Sequence, residues 1–216
     1  MKNELEVNIL RFREANKEDL TSVAELLATS FLDYPLFSII EEDRKKRYQF
    51  IYELQYINAK LFMAKHKCFV VIDEQNLMGV ALLKDLQDVR GEFISYIRLG
   101  FYRLLRKGLL FKTLRYLKLM RNVEEPVASS QSKGWYLDML AISSKAQGLG
   151  LGSEILDCVI VPYIKKNGGG TLFLATNTEL NRKFYQKNGF DEYKEADLTI
   201  DGRSVKDWSY RKKVHA

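Results

Sequence analysis

Three glycines alternate with apolar residues in the stretch SSKAQGLGLGSEIL, residues 143–156. The segment before it, GWYLDMLAI, has the pattern of a strand, and the residues after Gly150 have the spacing of a helix. Glycine is less favourable than alanine in a helix by about 1 kcal/mol, so three of them at a helix start need a reason. The unbonded N–H groups of a first helical turn bind anions, and glycines let the anion approach. The stretch therefore predicts a phosphate-binding turn.

Two common phosphate-binding loops do not fit this stretch. A P-loop ends in Gly-Lys-Ser or Gly-Lys-Thr, whereas this chain has Gly152-Ser153-Glu154. A dinucleotide-binding loop has the pattern G-x-G-x-x-G, and here the third glycine comes one residue early. A dinucleotide-binding loop is also followed, about 20 residues later, by an acidic residue at the end of a strand, and this chain has no such residue there. A third pattern fits, which is Gln147-x-x-Gly150-x-Gly152.

Strand and helix patterns alternate along the rest of the chain, without a linker or an internal repeat. Asn16 followed by Asp19 predicts a capped helix start, and Asp201-Gly202 predicts a β-hairpin. This mixture predicts an α/β fold. Strands are expected at 8–15, 67–73, 77–85, 134–142, 171–176, 190–200 and 203–212, and helices at 16–31, 42–65, 90–121 (divided at Gly108), 150–167 (interrupted by Pro162) and 179–188.

The composition indicates one folded domain over residues 1–216, because 46% of the chain is hydrophobic and can form a continuous core. No apolar run approaches the roughly 20 residues that span a bilayer, and the charged N-terminus lacks a signal-peptide pattern. We therefore expect a cytoplasmic protein. No metal site is expected, because Cys68 and Cys158 lack metal-ligand spacing and the two histidines, His66 and His215, are expected on the surface.

Three segments in order make the chain resemble the GNAT superfamily of acyl-CoA-dependent N-acyltransferases. WYLDMLAI resembles the family's fourth strand, with its bulge, and Gln147-x-x-Gly150-x-Gly152 resembles its pyrophosphate loop. NTELNRKFYQKNGF resembles the segment after its fifth strand, and RFREANKEDL its first strand and helix. The resemblance implies a single-domain α/β fold with a mixed, mostly antiparallel central sheet flanked by helices. Residues 86–133 would be a helical insertion between strands 3 and 4.

The resemblance also implies acetyl-CoA as the cosubstrate and a primary amine as the acceptor, with a small molecule favoured. Backbone N–H groups of the loop would hold the CoA pyrophosphate, those of the bulged strand would face the pantetheine and the thioester oxygen, and Asn181 would contact the pantetheine arm. The cofactor-binding residues expected in this way are Leu140, Ala141, Ile142, Gln147, Gly148, Leu149, Gly150, Leu151, Gly152, Ser153, Asn181 and Tyr185.

Two catalytic residues are expected. By resemblance, the Tyr185 hydroxyl would protonate the departing thiolate, although a packing role is the alternative. An amine that titrates near 10 needs a base, and Asp138 is the first candidate because it is an acid within an apolar strand. Strict alternation would place its side chain on the face of Tyr136 and Leu140. Asp138 could instead pair with a core arginine or a backbone N–H, and Glu92 or water could serve as the base. Cys158 is expected to pack rather than react.

Positive charge is concentrated in one segment. The chain carries +6, and residues 90–121 alone carry nine basic residues against the single acid Glu92, so the rest sums to −2. We expect this segment to form a helical lid over the acceptor end of the cleft, with an apolar stripe packed on the domain (Phe101, Leu105, Leu110, Leu114 and Leu117). A membrane-surface helix, a nucleic-acid binder and a non-catalytic CoA-binding module are the alternatives, although no nucleic-acid motif or stable membrane insertion is expected. A monomer and a homodimer both remain open.

Overall fold

The computed structural model describes residues 10–88, 91–128 and 134–216. Seven strands form one sheet with the spatial order β1-β2-β3-β4-β5-β7-β6. All neighbouring pairs are antiparallel except β4 and β5, which are parallel. The strands are β1 (Arg11–Glu14), β2 (Lys67–Asp73), β3 (Asn76–Asp85), β4 (Gly134–Ile142), β5 (Gly170–Thr176), β6 (Asp191–Ile200) and β7 (Arg203–Val214). The expected α/β fold with a mostly antiparallel sheet is confirmed.

Helices cover both faces of this sheet. The three before β2 are α1 (Leu20–Ser30), α2 (Pro35–Ile40) and α3 (Arg44–Lys65). Between β3 and β4 lie α4 (Glu92–Tyr96), a π-helical turn (Ile97–Phe101), α5 (Tyr102–Arg106) and α6 (Leu110–Ala128). After β4 come α7 (Leu151–Ile155), a second π-helical turn (Leu156–Ile160) and α8 (Val161–Lys166), and α9 (Glu179–Lys187) follows β5.

The parallel strands β4 and β5 pair over only three residues. Gly134, Trp135 and Tyr136 lie beside Thr171, Leu172 and Phe173, and beyond them the two strands diverge. β3 stays paired with β4 up to Ile142, and β7 stays paired with β5 up to Thr176, so each strand is held on its other side. The sheet therefore opens into a cleft at the carboxyl ends of β4 and β5.

A β-bulge in β4 changes the expected side-chain alternation. Leu137 pairs with Leu83 and Met139 with Leu82, so Asp138 is an extra residue without a partner of its own. The prediction that Asp138 and Leu140 share a face was wrong, because an inserted residue reverses the alternation beyond it. Leu140 packs with the core beneath α7 and α8, whereas the Asp138 carboxylate contacts α3. The bulge also lies earlier than the expected position at Leu140–Ile142.

Local sequence signals fix several element ends as predicted. Asn16 caps the 3₁₀ turn before α1, and the Asp19 side chain accepts a hydrogen bond from the Asn16 N–H in return. Asp201 and Gly202 have φ of 49° and 76° in the β6–β7 turn. Pro162 is tolerated because the helix passes through a π-helical turn before α8, so it does not end there. The short α2, which begins at Pro35, was not predicted.

The helical segment between β3 and β4 is divided near Gly108, as expected, but its buried face is not the predicted one. Leu105, Leu114 and Leu117 are exposed. Leucines occur all around these helices, so the sequence offers more than one apolar stripe. Of the predicted stripe, Phe101 packs against the core, and the other residues that pack inward are Leu104, Leu109, Thr113, Tyr116, Leu119 and Met120. Arg90 and the side chain of Arg121 lie outside the described residues.

Within the described part of the chain, no helix has both the length and the apolar character to cross a bilayer. The core is divided between the two faces of the sheet. One cluster fills the space between the sheet and α7–α9, and two others lie against α1, α2, α3, α5 and α6.

Candidate active site

A cavity lies where β4 and β5 diverge. Its walls come from both strands, from the connection between α1 and α2, and from α6, α9 and β7. It is lined by Phe31, Tyr34, Leu36, Phe37, Tyr116, Met120, Tyr136, Leu137, Asp138, Met139, Leu140, Ala175, Thr176, Asn177, Asn181, Tyr185 and Asp207. The predicted residues Asp138, Leu140, Asn181 and Tyr185 therefore meet at one cavity.

The glycine turn before α7 needs glycine for two different reasons. Gly148 and Gly150 have φ of 81° and 85°, in the left-handed region that favours glycine, and a Cβ on either would meet no atom within 4 Å. Gly150 is also the N-cap of α7. At Gly152 a Cβ would lie 3.1 Å from the Phe184 ring, so this glycine serves helix packing. The first two leave open space above the backbone.

Five consecutive backbone N–H groups in this turn have no acceptor among the described residues. The Gln147 N–H donates to the Ser143 carbonyl, and the Ser153 N–H donates to the Gly150 carbonyl. The N–H groups between them, at 148–152, donate to none. They lie at the N-terminal end of a helix, where the dipole is positive. This arrangement suits a phosphate-bearing ligand.

The Gln147 side chain holds this turn against β4. Its Nε2 donates to the Ile142 carbonyl over 3.0 Å, and the Ser143 N–H donates to the Met78 carbonyl over 2.8 Å. In an antiparallel pair, alternate residues direct both backbone groups to the same neighbour. Because Ser143 faces β3, Ala141 does so too, and the N–H groups of Leu140 and Ile142 point into the cleft. Two of the three expected strand donors are therefore available there.

Asp138 projects from the β4 bulge into the cavity wall. Asn58 Nδ2 donates to Asp138 Oδ2 over 2.9 Å, and the Tyr96 hydroxyl donates to Asn58 Oδ1 over 2.6 Å, which orients the amide. Burial raises the pKa of the Asp138 carboxyl, although the Lys84 charge and the Asn58 hydrogen bond oppose part of that effect. A carboxylate with a raised pKa is a stronger base than an exposed aspartate.

Glu92, the lesser candidate for the base, is held in an ion network outside the cavity. His66 Nε2 lies 2.8 Å from Glu92 Oε1, and Lys84 Nζ lies 3.0 Å from Glu92 Oε2. Burial alone would raise the pKa of Glu92, but the His66 hydrogen bond and the Lys84 charge lower it overall. These contacts pair the Glu92 carboxylate within the protein. The expectation that His66 lies on the surface was wrong, because its side chain is buried in this network.

Tyr185 lies at the base of the cavity, on the inner face of α9. Its ring packs against Phe184, Phe190 and Tyr210, and only 7% of the residue is exposed. Among the described residues its hydroxyl has no hydrogen-bond partner. Burial raises the pKa of this hydroxyl, so it stays protonated at neutral pH and can act as a proton donor.

Asn181, one turn before Tyr185, joins a hydrogen-bond chain across the cleft. Its Nδ2 donates to Thr176 Oγ1 over 3.1 Å. The Tyr34 hydroxyl lies 2.9 Å from the same Thr176 oxygen and accepts a hydrogen bond of 2.7 Å from the Asn177 N–H. Between Tyr34 and Thr176 either hydroxyl can donate. This chain ties the α1–α2 connection to the end of β5.

The sequence analysis missed a second carboxylate in the cavity, at Asp207. This residue of β7 is 4% exposed, and Asn177 Nδ2 donates to its Oδ1 over 3.0 Å. Burial raises the pKa of Asp207 to about 6, and the Asn177 hydrogen bond offsets only part of that rise. An acid between apolar residues of a strand was the signal that singled out Asp138. The same signal in VKDWSY could have found Asp207.

The part of the cavity wall formed by the α1–α2 connection, α2 and α6 is aromatic. Phe31 and Tyr34 pack edge to face with ring centroids 5.2 Å apart, and Phe37 stacks on Tyr116 of α6 at 5.7 Å. Phe37 is also part of the core, so this cluster both supports the fold and forms the wall. Tyr116 and Met120 show that α6 closes one side of the cavity, as the expected lid would.

No group of three metal-ligating side chains occurs among the described residues. Cys158 is exposed rather than packed, because it lies on the outer side of the π-helical turn after α7. Cys68 is the buried cysteine, and burial raises the pKa of its thiol to about 12. Neither cysteine lines the cavity.

A model of the acetyltransferase (GNAT) family matches residues 33–190, and the chain belongs to that family of N-acetyltransferases. The match includes β4, the glycine turn and α9, the three segments on which the resemblance rested. No curated protein sequence matches the chain.

Solved structures share the fold at low sequence identity. The C-terminal condensation domain of Ebony, in complex with beta-alanyl-dopamine, has a TM-score of 0.67 and 12% identity, over 95% of this chain and 99% of that one. Arylalkylamine N-acetyltransferase 2 from Aedes aegypti has a TM-score of 0.63 and 14% identity, over 96% and 100%. A histone acetyltransferase HPA2 and related acetyltransferase from Corynebacterium glutamicum has a TM-score of 0.60 and 18% identity, over 96% and 97%.

We expect Gly150→Ala to weaken CoA binding about tenfold or more, because its Cβ would occupy the open space above the free N–H groups. The measurement is isothermal titration calorimetry with CoA. Gly202→Ala is the matched control, since Gly202 has a similar φ of 76° and equally open surroundings but lies in the distant β6–β7 turn. Both variants carry a similar backbone strain. Equal CoA affinity in the two variants would contradict the assignment of CoA binding to the glycine turn.

We expect Asp207→Asn to change how stability depends on pH. The folded pKa of about 6 exceeds the ordinary 3.8, so the contribution of Asp207 to stability is complete below about pH 4 and is lost as the pH rises through 6. Relative to the native chain, the variant should therefore gain up to about 3 kcal/mol between about pH 4 and pH 7.5. Urea unfolding at both pH values measures this gain. A pH-independent difference for Asp207→Asn would contradict the assigned burial.

Proposed function

We propose that this protein transfers an acetyl group directly from acetyl-CoA to the primary amine of a small molecule that carries an aryl or similarly bulky apolar group. One observation supports this most strongly. The glycine turn that directly follows β4 carries unbonded backbone N–H groups, and the cavity where β4 and β5 diverge is lined by carboxylates and aromatic rings. The turn suits a phosphate-bearing thioester, and the cavity suits a hydrophobic amine.

Acetyl-CoA would lie along the glycine turn and the cleft edge of β4. The N–H groups at 148–152 would bind the pyrophosphate, and Gln147 and Ser153 would support the turn, because their own N–H groups are bonded within it. The pantetheine arm would follow the N–H groups of Leu140 and Ile142, with the Asn181 side chain on the other side of the cleft. All of these donors are held by the fold before the ligand arrives, which limits the ordering cost of binding.

Transfer needs a free amine, a place for negative charge and a proton for the leaving group. An alkyl ammonium titrates near 10, so Asp138 would accept a proton, directly or through water. The amine nitrogen would then attack the acetyl carbon, and the N–H of Leu140 would donate to the oxygen on which negative charge develops. The C–S bond would break as the Tyr185 hydroxyl gives its proton to the CoA thiolate, and the second proton of the amine nitrogen would return to the Tyr185 oxygen. The products are the N-acetylated amine and free CoA.

The cavity walls favour an aromatic amine over a long flexible polyamine or a protein chain. Phe31, Tyr34, Phe37 and Tyr116 offer ring faces and edges, which bind aryl groups by burial and quadrupole contacts. Asp138 and Asp207 would attract the ammonium group. Two proteins of the same fold are named with such compounds, the arylalkylamine N-acetyltransferase and the Ebony domain in complex with beta-alanyl-dopamine. At their low identity they support this acceptor class only as examples.

An amine panel tests the proposal. Release of the CoA thiol from acetyl-CoA is followed with 2-phenylethylamine, tryptamine, putrescine and a lysine-containing peptide. We expect kcat/KM for the two arylalkylamines to exceed the others by about tenfold or more, which is what one well-placed apolar group contributes. Preference for the peptide or putrescine would contradict the acceptor class. CoA binding without thiol release from any amine would instead indicate a non-catalytic CoA-binding module.

We expect Tyr185→Phe to lower kcat about a hundredfold, which is the usual contribution of a general acid, and to leave the affinity for CoA unchanged. Phenylalanine keeps the ring contacts and removes only the hydroxyl. Tyr163→Phe is the control, because Tyr163 packs against Phe69 and Trp135 outside the cavity. Steady-state kinetics and calorimetry measure the two quantities. An unchanged kcat in a folded Tyr185→Phe variant would limit this residue to packing.

A further inference from the structure

The helical segment between β3 and β4 exposes a concentration of large apolar side chains. Ten such side chains are recorded as exposed in the described part of the chain, and seven of them lie between residues 94 and 117. We call these seven the outer face of the helical segment. On α4, the π-helical turn and α5 they are Ile94, Ile97, Tyr102 and Leu105, and on α6 they are Phe111, Leu114 and Leu117.

These residues are not the core-facing side of their helices. The inward side is made by other residues, among which Leu104, Leu109 and Leu119 are at most 4% exposed. By contrast, Phe111 is 78% exposed and Leu114 is 51% exposed. The helical segment thus carries apolar residues on two sides, one packed against the core and one in contact with solvent. Clustered exposed apolar residues of this size mark a surface that binds a partner.

Charge identifies the kind of partner. Four cations that the structure describes in this segment are paired within the protein. Arg103 and Lys107 bind Glu53, Lys112 binds Glu41, and Arg115 binds Asp201. Three exposed cations adjoin the outer face and have no hydrogen bond or ion pair to any described residue. They are Arg98 beside Ile97, Arg106 beside Leu105, and Lys118 beside Leu117. Both helices therefore present apolar side chains next to unpaired positive charge.

We propose that the outer face docks on an anionic lipid membrane, with the helices lying in the plane of the interface. Apolar side chains would enter the boundary between headgroups and acyl chains, and Arg98, Arg106 and Lys118 would meet lipid phosphates and carboxylates. A second copy of this chain would bring the same unpaired cations near each other. A nucleic acid would match the charge but leave leucine and phenylalanine in water. This docking does not depend on acetyl transfer.

The docked surface backs onto the cavity. Tyr116, on the opposite side of α6 from the exposed Phe111 and Leu114, lines the cavity together with Met120. The membrane would therefore lie one helix diameter from the proposed acceptor site, or about 10 Å. An amine that partitions into the interface would be concentrated next to its binding site.

Co-sedimentation of the full chain with vesicles tests the proposal at physiological salt. The vesicles are phosphatidylcholine alone or phosphatidylcholine with phosphatidylserine. We expect at least about tenfold stronger binding to the anionic vesicles, and loss of most of it in Phe111→Ser/Leu114→Ser and in Arg98→Gln/Arg106→Gln/Lys118→Gln. Because all five side chains are exposed, circular dichroism should show that both variants fold. Leu180→Ser and Lys165→Gln/Lys166→Gln/Lys183→Gln are matched controls elsewhere on the surface and should bind like the native chain.

Four results would overturn the proposal. The first is the absence of binding to the anionic vesicles, and the second is an equal loss of binding in the control variants. The third is a stable dimer of the native chain in analytical ultracentrifugation that Phe111→Ser/Leu114→Ser dissociates, because the outer face would then be an interface between copies. The fourth concerns nucleic acid. Mobility shift with duplex DNA should be weak, and a shift abolished by the three glutamine substitutions without vesicle binding would assign the surface to nucleic acid.

Discussion

The site depends on the early separation of two parallel strands. β4 and β5 pair only as far as Tyr136 and Phe173, and beyond them each strand is held by its antiparallel neighbour alone. Backbone groups along the inner edges of an intact sheet would be bonded to each other, as buried N–H and C=O groups generally are. Here the N–H groups of Leu140 and Ile142 face a cleft instead. The glycine turn follows directly from the same strand, so both sets of unbonded donors are placed by one feature of the sheet.

Two carboxylates line the cavity, those of Asp138 and Asp207, and the fold stabilises them only in part. Asp138 accepts one hydrogen bond from Asn58, and Asp207 accepts one from Asn177. Since a buried anion is costly unless fully paired, both carboxyls have raised pKa values. A cationic amine between them would provide the missing partner. Glu92 differs from these two carboxylates, because His66 and Lys84 already pair with it.

The sequence predicted those parts of the fold and site that rest on short-range chemistry. The Asn16 cap, the Asp201-Gly202 turn, the break at Gly108 and the glycine turn each follow from a few adjacent residues. It could not predict the bulge at Asp138, which comes from the pairing with β3 and moves Leu140 to the other face. It also misjudged the helices after β3, because leucines surround them and only tertiary packing selects Leu104, Leu109 and Leu119 as the buried side.

Amide hydrogen exchange with and without CoA tests most directly whether the unbonded donors bind the cosubstrate. Amides that already donate within the protein, such as those of Gln147, Ser153 and Ala141, should change little, because their hydrogen bonds exist before binding. The amides at 148–152, together with those of Leu140 and Ile142, should exchange more slowly once CoA is bound. Unchanged exchange at 148–152 under saturating CoA, with protection confined to other segments, would contradict the account.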